Sequence, residues 1–407
     1  MIPLSEAQQF VLESIAQTKT INVQIDDALG MITTETLVSL ESIPPHDNTA
    51  MDGFAITEAD RLILERTEEL RLPIRATIPA GSINELIIHE GEAARIMTGA
   101  PIPVGTSCIV IVEDTKADGD FVKLSGKYRN GENIRRAGSD IKHGDQIFQS
   151  GTRIDAAHVG VLASVGFHTV PAHRRPRIGV ISTGDELIDG STKLTYGQIR
   201  DSNRHSLMAI VRSTGAIAVD LGIVPDDEAR LAAAFESAAL DLDAIVTSGG
   251  VSVGDFDYTK AILSKLSGGT ARWMQIAIRP AKPFAFGLIS STPFFALPGN
   301  PVSALVSFEL LVRPAIRKMM GSQSYFNRTI LAKASNSYQR GEDGKTHYVR
   351  AHFFSDDDGN LHVESLDKQS SHMLHEMSRA NSLAIVPNGR GFEAGNQIRI
   401  MPLAWNN

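Results

Sequence analysis

The chain has 407 residues, of which 42% are hydrophobic and 21% charged, and its formal net charge is −8 with a sequence pI near 5.9. This composition excludes wholesale disorder, and it argues against a cationic face for nucleic acid. The N-terminus, MIPLSEAQQFVLESIAQ, lacks the basic and apolar blocks of a signal peptide, and no run of about 18 apolar residues predicts a membrane span. We therefore expect a cytoplasmic protein with no membrane partner.

The first 176 residues alternate between helical and strand-like patterns. LSEAQQFVLESIAQ predicts a helix, INVQIDDALGMITTETLV is strand-like, and short alternating runs broken by Gly and Pro predict an all-β region over 70–148. DAAHVGVLASVG predicts a second helix and PAHRRP, residues 171–176, a linker. Cys108, the one cysteine, lies in the apolar run TSCIVIVED, which favours a buried small hydrophobe over a nucleophile.

Residues 177–320 show buried strands alternating with helices, the pattern of a parallel sheet covered on both faces. The strands are PRIGVIS, AIAVDLGIV, LDAIVTS, WMQIAI and PFFAL, and the last helix begins at Pro301 and ends before Gly321. Ligands of such sheets bind beyond the carboxyl ends of the strands. Five loops should share that edge: STGDEL, VPDDE, TSGGVSVGDFD, IRPAKP and LPGNPVS. After Ser324 the pattern returns to short strands and predicts a small barrel or sandwich.

Acidic pairs occur in three of these loops, at Asp185 and Glu186, Asp226 and Asp227, and Asp255 and Asp257. A like-charge pair at 4 Å costs about 1 kcal/mol in water and about 4 kcal/mol at a surface-like dielectric. A hard cation such as Mg²⁺ would remove this repulsion. Asp226 and Asp257 also precede predicted helices, so an N-cap role is an equal alternative for each.

Phosphate-binding features lie in the same loops. Backbone N–H groups at Ser248, Gly249 and Gly250 could form an anion-binding nest, and the helix opened by Pro301 offers others beside Asn300 and Ser303. Lys282 could add a positive charge. A tight strand-to-helix connection is the alternative reading of the glycines. In the N-terminal half, Asp47, Asn48, Thr49 and Asp52 form an unusually polar run, although Asp52–Gly53 is also a common turn pair.

The stretches DNTAMDGFA, RIMTGAPIP, GENIRRAGSDI, STGDEL, VPDD, SGGVSVGDFDY, KPFAFG and LPGNPVSALVSFELLVRP occur in this order along the chain. Together they resemble the signature stretches of the molybdopterin molybdotransferases, the MoeA type that is related to the gephyrin E region. The resemblance implies a multidomain α/β plus β protein with four domains. These are a split N-terminal domain (1–45 and 141–172), an inserted β domain (46–140), a doubly wound, mostly parallel, MogA-like molybdopterin-binding domain (176–322) and a C-terminal β-barrel (326–405).

The same resemblance implies a reaction. A homodimer would insert molybdenum from molybdate into adenylylated molybdopterin and release AMP with Mg²⁺ present, and a molybdopterin adenylyltransferase would act upstream. Both sulfur ligands would then come from the substrate. The alternatives are adenylylation of molybdopterin itself, or a non-catalytic scaffold of the gephyrin kind. The sequence does not distinguish molybdate from tungstate.

Site residues follow by position from the resemblance. The functional polar residues would be Asp52, Thr98, Glu186, Asp226 and Asp257, of which the last three would serve Mg²⁺ and the pyrophosphate. Substrate-binding residues would be Ser248, Gly249, Gly250, Ser252, Lys282, Asn300, Pro301, Arg350 and Ser371. The site would lie between the inserted domain of one subunit and the α/β domain of the other.

Three positions depart from the family pattern. Arg200 stands where an aromatic residue is frequent, and Arg279 and Ala281 stand where Lys and Gly are usual. These departures affect the expected shape of the nucleotide pocket and leave the acids unchanged.

Overall fold

The computed structural model describes residues 1–83, 85–249 and 258–404. The chain forms two compact units. The first, the α/β–barrel unit, comprises Met1–Asn22, Gly30–Thr34 and Pro171–Asn407; the second, the β unit, comprises Val23–Leu29 and Glu35–Val170. Among the helices of the described residues, none has the length and hydropathy that a membrane crossing requires.

The predicted N-terminal helix and strand are present. Helix α1 spans Leu4–Glu13 and buries Ala7 and Val11, one helical turn apart, against the core of the α/β–barrel unit. Strand β1 spans Thr20–Gln24.

A six-stranded sheet in the order β7-β4-β6-β5-β9-β8 forms the centre of the β unit, which confirms the strands expected over 70–148. Cys108 is fully buried in this sheet, and burial raises the pKa of its thiol to about 12, so it is a core residue as predicted. The strands are β2 (Leu37–Val38), β3 (Asn48–Thr49), β4 (Gly53–Thr57), β5 (Glu69–Ile78), β6 (Ala93–Ile96), β7 (Thr106–Ile111), β8 (Thr115–Asp118), β9 (Phe121–Ser125), β10 (Ile134–Arg135) and β11 (Gln146–Phe148).

Two helices accompany this sheet. Helix α3 (Ala156–Ser164) was predicted, and it begins with a capping box between Asp155 and His158. Helix α2 (Glu58–Thr67) was not predicted. It is short, and in its apolar run Leu62 and Ile63 are exposed while only Leu64 is buried, so the sequence shows no clear helical stripe.

Strand β12 (Thr169–His173) pairs with β1, so the first half of the linker predicted at 171–176 is instead strand. The α/β region follows. Its elements are β13 (Arg177–Thr183), β14 (Leu187–Ile188), β15 (Ile199–Arg200), α4 (Ser202–Ser213), β16 (Ile217–Val224), α5 (Glu228–Asp241), β17 (Ala244–Ser248), α6 (Tyr258–Leu266), β18 (Arg272–Gln275), β19 (Ile278–Arg279), β20 (Pro283–Ile289) and β21 (Thr292–Leu297).

The α/β sheet has the order β16-β13-β17-β21-β20-β18; the first four strands are parallel, β20 is antiparallel to β21, and β18 is antiparallel to β20. Alternate residues of its strands face opposite layers. Val180 packs in the cluster that contains residues of α4, whereas Ile181 packs in the cluster that contains residues of α5 and α6. The sheet is therefore covered on both faces, as predicted. The predicted last helix is α7 (Pro301–Ser307), a π-helical segment (Phe308–Val312) and α8 (Arg313–Met319) in succession.

The C-terminal region is a closed five-stranded barrel. Strand β24 pairs with both β25 and β26, and β25-β22-β28-β26 completes the ring. The barrel alternative is thus confirmed over the sandwich. The elements are β22 (Ile330–Ala334), β23 (Tyr338–Gln339), β24 (Thr346–Ser355), β25 (Leu361–Ser365), α9 (Leu374–Arg379), β26 (Ser382–Val386), β27 (Gly391–Phe392) and β28 (Gln397–Pro402).

Gly53, next to the predicted site residue Asp52, has no room for a side chain. A Cβ atom there would lie 2.1 Å from the carbonyl oxygen of Val110 on the paired strand β7. We expect Gly53→Ala to lower the stability of the β unit by about 1–3 kcal/mol, measured as a shift in its thermal unfolding transition. Gly160→Ala is the matched control, because a Cβ at this exposed position in α3 meets no atom within 4 Å. It should stabilise by about 0.5–1 kcal/mol, and equal effects of the two substitutions would contradict the packing argument.

Candidate active site at the carboxyl edge of the sheet

The predicted ligand edge exists in the α/β region. Strands β13, β16, β17 and β21 are parallel, so the loops that follow them leave from one edge. The loop of Lys282 reaches the same edge for a different reason: β20 is antiparallel to β21, and it begins where the parallel strands end. The expectation that all five loops share an edge is therefore confirmed for their described residues.

Three carboxylates meet in the loops after β13 and β16. The backbone N–H of Asp226 donates to Oδ1 of Asp185 at 3.1 Å. The Glu186 carboxylate folds back over Gly184, since a Cβ on that glycine would lie 2.6 Å from Glu186 Oε2. Burial, together with the charges of Asp185 and Glu186, raises the pKa of Asp226 above its usual value. The repulsion anticipated from the sequence is thus present at Asp226.

The N-cap alternative for Asp226 is now excluded. Helix α5 is capped by the next residue, Asp227, whose carboxylate accepts a hydrogen bond from the Arg230 N–H at 2.8 Å. Asp226 therefore has no capping role that would explain an acid at this position. The same question for Asp257 lies outside the described residues, as do the predicted roles of Gly250 and Ser252.

Ser248 and Gly249 end strand β17 beside the loop after β21. The Asn203 amide, on α4, donates to the Ser248 hydroxyl at 2.7 Å and to the Gly299 carbonyl at 2.6 Å. Gly249 has a positive φ of 101°, and its N–H donates to the Leu297 carbonyl at 3.1 Å. That N–H is therefore used within the sheet, so it is not available to a phosphate, and glycine is needed here for its backbone conformation.

The start of α7 connects this edge to the barrel. Asn300 is the N-cap residue and Pro301 the first residue of the helix. The next N–H, of Val302, donates to the Ser371 carbonyl at 3.1 Å. Ser371, a predicted site residue from the C-terminal region, is thus placed at the ligand edge.

Arg350 lies on barrel strand β24 and is 1% exposed. Its Nη2 donates to the Lys368 carbonyl at 2.5 Å, its Nε has no hydrogen-bond partner, and no acid of the described chain forms an ion pair with it. Burial lowers the pKa of this guanidinium. A buried cation without a carboxylate partner is costly, and a bound anion would offset that cost.

Asp52 and Thr98 are brought together within the β unit. The Thr98 N–H and hydroxyl both donate to Asp52 Oδ1, at 2.6 and 2.7 Å, and these bonds lower the pKa of Asp52. Oδ2 keeps its lone pairs for a further donor. Nearby in sequence, Asp47 accepts from Arg136 Nη1 at 2.6 Å and from the Ala137 N–H at 2.8 Å.

The sequence did not identify a buried ionic cluster that holds the edge loops. The Asp201 carboxylate caps α4 through the Arg204 N–H, accepts the Ser182 hydroxyl at 3.0 Å and pairs with Arg204 Nε at 2.9 Å. Arg204 also pairs with Asp189 and Asp220. The sequence signal was the run DSNR, where an Asp precedes a helix.

The residues suit a hard cation by their chemistry, because Asp185, Glu186 and Asp226 offer carboxylate oxygens, which Mg²⁺ prefers, and their mutual repulsion would fall on binding. No group of three or more His, Cys, Asp or Glu side chains arranged to hold a metal is found within residues 1–83, 85–249 and 258–404.

Three family models match consecutive parts of the chain: the MoeA N-terminal region, domains I and II, over residues 2–166; a probable molybdopterin binding domain over 179–318; and the MoeA C-terminal region, domain IV, over 334–403. The second of these ranges contains the α/β sheet with its acidic edge, and the third contains most of the barrel. The chain belongs to the MoeA family.

Curated relatives align along almost the entire chain. The molybdopterin molybdenumtransferase of Haemophilus influenzae is 34% identical and covers 99% of this chain and 98% of its own length. Molybdopterin molybdenumtransferase 2 of Mycobacterium tuberculosis is 35% identical, with 99% and 100% covered. Among solved structures, the molybdopterin biosynthesis MoeA protein of Pyrococcus horikoshii OT3 superposes with a TM-score of 0.83 at 25% identity, covering 99% of this chain and all of that one.

The raised pKa of Asp226 predicts a pH-dependent stability effect. Ionised Asp226 costs folding free energy; the cost is absent below the ordinary carboxyl pKa of 3.8 and appears as the pH rises through the higher folded pKa. Asp226→Asn should therefore raise the melting temperature at about pH 7 by roughly 1–3 °C, and the gain should shrink toward about pH 4.

Asp227→Asn is the matched control for this measurement. Asn caps helices as well as Asp does, so this variant should melt close to the wild type. A destabilised Asp226→Asn protein at neutral pH would contradict the repulsion that we infer.

Proposed function

We propose that this chain inserts molybdenum from molybdate into adenylylated molybdopterin and releases AMP in a Mg²⁺-dependent step. The observation that carries the proposal is the convergence of Glu186, Asp226 and the start of α7 at one sheet edge, joined there by Ser371 from the barrel. This edge can face a charged pyrophosphate, while the barrel contributes a buried cation for an oxyanion. The relatives named molybdopterin molybdenumtransferase support the same reaction class.

Glu186 and Asp226 would hold Mg²⁺, with Asp257 as a third candidate. When bound, the cation would neutralise charge on the substrate's pyrophosphate. Asn203 holds Ser248 and the Gly299 carbonyl in fixed positions beside it, so the loops that contact the substrate are positioned before it arrives. Lys282, at the same edge, would add a positive charge for the phosphates.

Arg350 would bind molybdate. Its guanidinium is buried, has no acid partner in the described chain and has an unused Nε donor. The segment Lys368–Ser371 links it to the nucleotide side of the site, because Lys368 accepts from Arg350 and Ser371 accepts from Val302 at the start of α7. A bound oxyanion would thus lie within reach of the same cleft.

The proposal includes a cytoplasmic homodimer, served by a molybdopterin adenylyltransferase, in which Asp52 and Thr98 of one subunit face the α/β edge of the other. The pKa of Asp52 is lowered, and its Oδ2 atom receives no hydrogen bond from Thr98. Asp52 is therefore suited to accept a hydrogen bond from the substrate. A monomer mass by light scattering would remove this part of the proposal.

One assay separates the proposed reaction from its alternatives. The protein is incubated with adenylylated molybdopterin and Mg²⁺, with and without molybdate, and AMP is followed. Molybdate-dependent AMP release supports insertion. Pyrophosphate release from ATP and molybdopterin would indicate adenylylation, and the absence of both reactions would indicate a scaffold.

Glu186→Gln and Asp226→Asn should each lower the rate of AMP release by at least about 100-fold, because each removes a carboxylate charge that would hold the cation at the pyrophosphate. Both proteins should stay folded by circular dichroism. Asp227→Asn, which keeps the cap of α5, is the control and should retain the wild-type rate. Full activity of both test variants would remove these residues from the site.

Arg350→Lys should raise the molybdate concentration for half-maximal AMP release by about 10- to 100-fold, since Lys keeps the charge but loses the planar set of N–H donors. Arg313→Lys is the matched control. Arg313 is also buried, but it forms an ion pair with Glu309 at 2.6 Å, so its substitution should lower stability without changing the molybdate requirement. Equal shifts in both variants would point to a general structural effect.

A further inference from the structure

A cavity of about 360 Å³ opens beside the barrel in the α/β–barrel unit. Its lining includes Arg279 and Pro280, where β19 pairs in parallel with β24 through Arg279 and His347. Tyr338, Asp343 and His347 line the cavity as well. None of the roles assigned above uses these last three residues.

Two arginines line the cavity, and they differ in how they are bound. Arg340 is saturated: its guanidinium pairs with Asp343 at 2.5 Å and donates to the carbonyls of Gly341, Lys345 and Val386. Arg279 is exposed, and its guanidinium has no ion pair or hydrogen bond within the part of the chain that the structure describes. Arg279 is therefore the cation at this cavity that is available to a ligand.

Three side chains form a hydrogen-bonded chain that ends at the cavity. His347 Nε2 lies 3.0 Å from Asp343 Oδ2, and His347 Nδ1 lies 3.2 Å from the Tyr338 hydroxyl. Hydrogen bonds from His347 and Lys345 lower the pKa of Asp343, so Asp343 is ionised and accepts. Nε2 of neutral His347 then carries the proton, Nδ1 is an acceptor, and the Tyr338 hydroxyl donates to it.

Protonation of His347 reverses the direction of the Tyr338 bond. Both ring nitrogens of the imidazolium are donors, so Nδ1 must donate to the Tyr338 oxygen, and the hydroxyl proton must turn to another acceptor. Tyr338 lines the cavity, so a ligand there is the natural acceptor. One protonation thus adds both a positive charge and an O–H donor at the cavity wall.

The surrounding charges determine which ligand would benefit. His347 is faced by Arg279, Arg340, Lys345, Asp343 and, across Tyr338, by Arg350, while Glu342 lies on the cavity wall. Cations outnumber acids, which favours an anion. Burial lowers the pKa of His347 below its usual 6.5, so the change in protonation falls in the acidic range.

We propose that Tyr338, His347 and Asp343 form a pH-dependent switch that controls the binding of a small oxyanion dianion in the cavity beside Arg279. When His347 is protonated, the imidazolium charge and the O–H of Tyr338 both favour the anion. When His347 is neutral, the Tyr338 hydroxyl donates to His347 and presents only oxygen lone pairs to the cavity, which disfavours the anion. The inference rests on the proposed function in that molybdate is taken as the oxyanion, and it treats the cavity and the guanidinium of Arg350, which faces Tyr338, as parts of one molybdate site.

The test measures molybdate binding to the full-length protein by calorimetry from about pH 5 to about pH 8 at constant ionic strength, without pterin. For the wild type, affinity should fall by up to about tenfold per pH unit above the pKa of His347. His347→Gln keeps hydrogen-bonding groups but does not titrate, so it should lose this dependence. Tyr338→Phe should lose affinity mainly at the acid end.

Tyr348→Phe is the matched control, because Tyr348 also lines the cavity but its hydroxyl makes no hydrogen bond to His347. It should keep the wild-type pH dependence. The titration of molybdate itself is common to all four proteins, so only differences between them are informative. If the His347→Gln protein does not fold, the comparison of Tyr338→Phe with the wild type still tests the inference.

The inference is overturned if the wild type binds no molybdate at any pH, or if the His347→Gln and Tyr338→Phe proteins follow the wild-type profile. AMP release by the same preparations distinguishes this failure from that of the proposed function. Intact molybdate-dependent AMP release with an unchanged binding profile would remove the switch and leave the insertion reaction standing.

Discussion

The buried carboxylate of Asp201 is the contact on which the geometry of the ligand edge depends. It accepts the hydroxyl of Ser182 at the end of β13, caps α4 and pairs with Arg204, whose other nitrogens reach Asp189 and Asp220. The pair of Asp201 and Arg204 therefore connects two strands, β13 and β16, with α4 and the loop of Asp189. Breaking a buried pair by removing one partner costs about 3–5 kcal/mol, so these loops are held together by a contact that tolerates little change.

The cluster also explains how the edge can hold repelling acids. Burial and the charges of Asp185 and Glu186 make ionised Asp226 unfavourable at neutral pH, and no cap or ion pair among the described residues compensates it. The loop that follows β13 is instead anchored further along, at Asp189. Stability at one end of the loop allows an unfavourable charge arrangement at the other, a combination that is common at functional sites.

The arginines in and beside the barrel differ in how many of their N–H donors are hydrogen-bonded. Arg340 has all its donors engaged with Asp343, Asn388 and backbone carbonyls, and it fixes the loop at the cavity. Arg350 and Arg279 have donors to spare, one buried and one exposed. The difference lies in the acids that the fold supplies to each arginine, which the residue type alone does not reveal.

The sequence by itself determined the covered α/β sheet, the shared edge of its loops and the C-terminal β-region, because periodicity and turn residues are local signals. It left α2 unpredicted and took part of β12 for a linker, since short elements with few buried residues show weak periodicity. It also could not decide which aspartate caps α5, that the Gly249 N–H is consumed by Leu297, or that Tyr338, His347 and Asp343 form one chain. These depend on which donor meets which acceptor across distant segments, and only the tertiary structure brings those segments together.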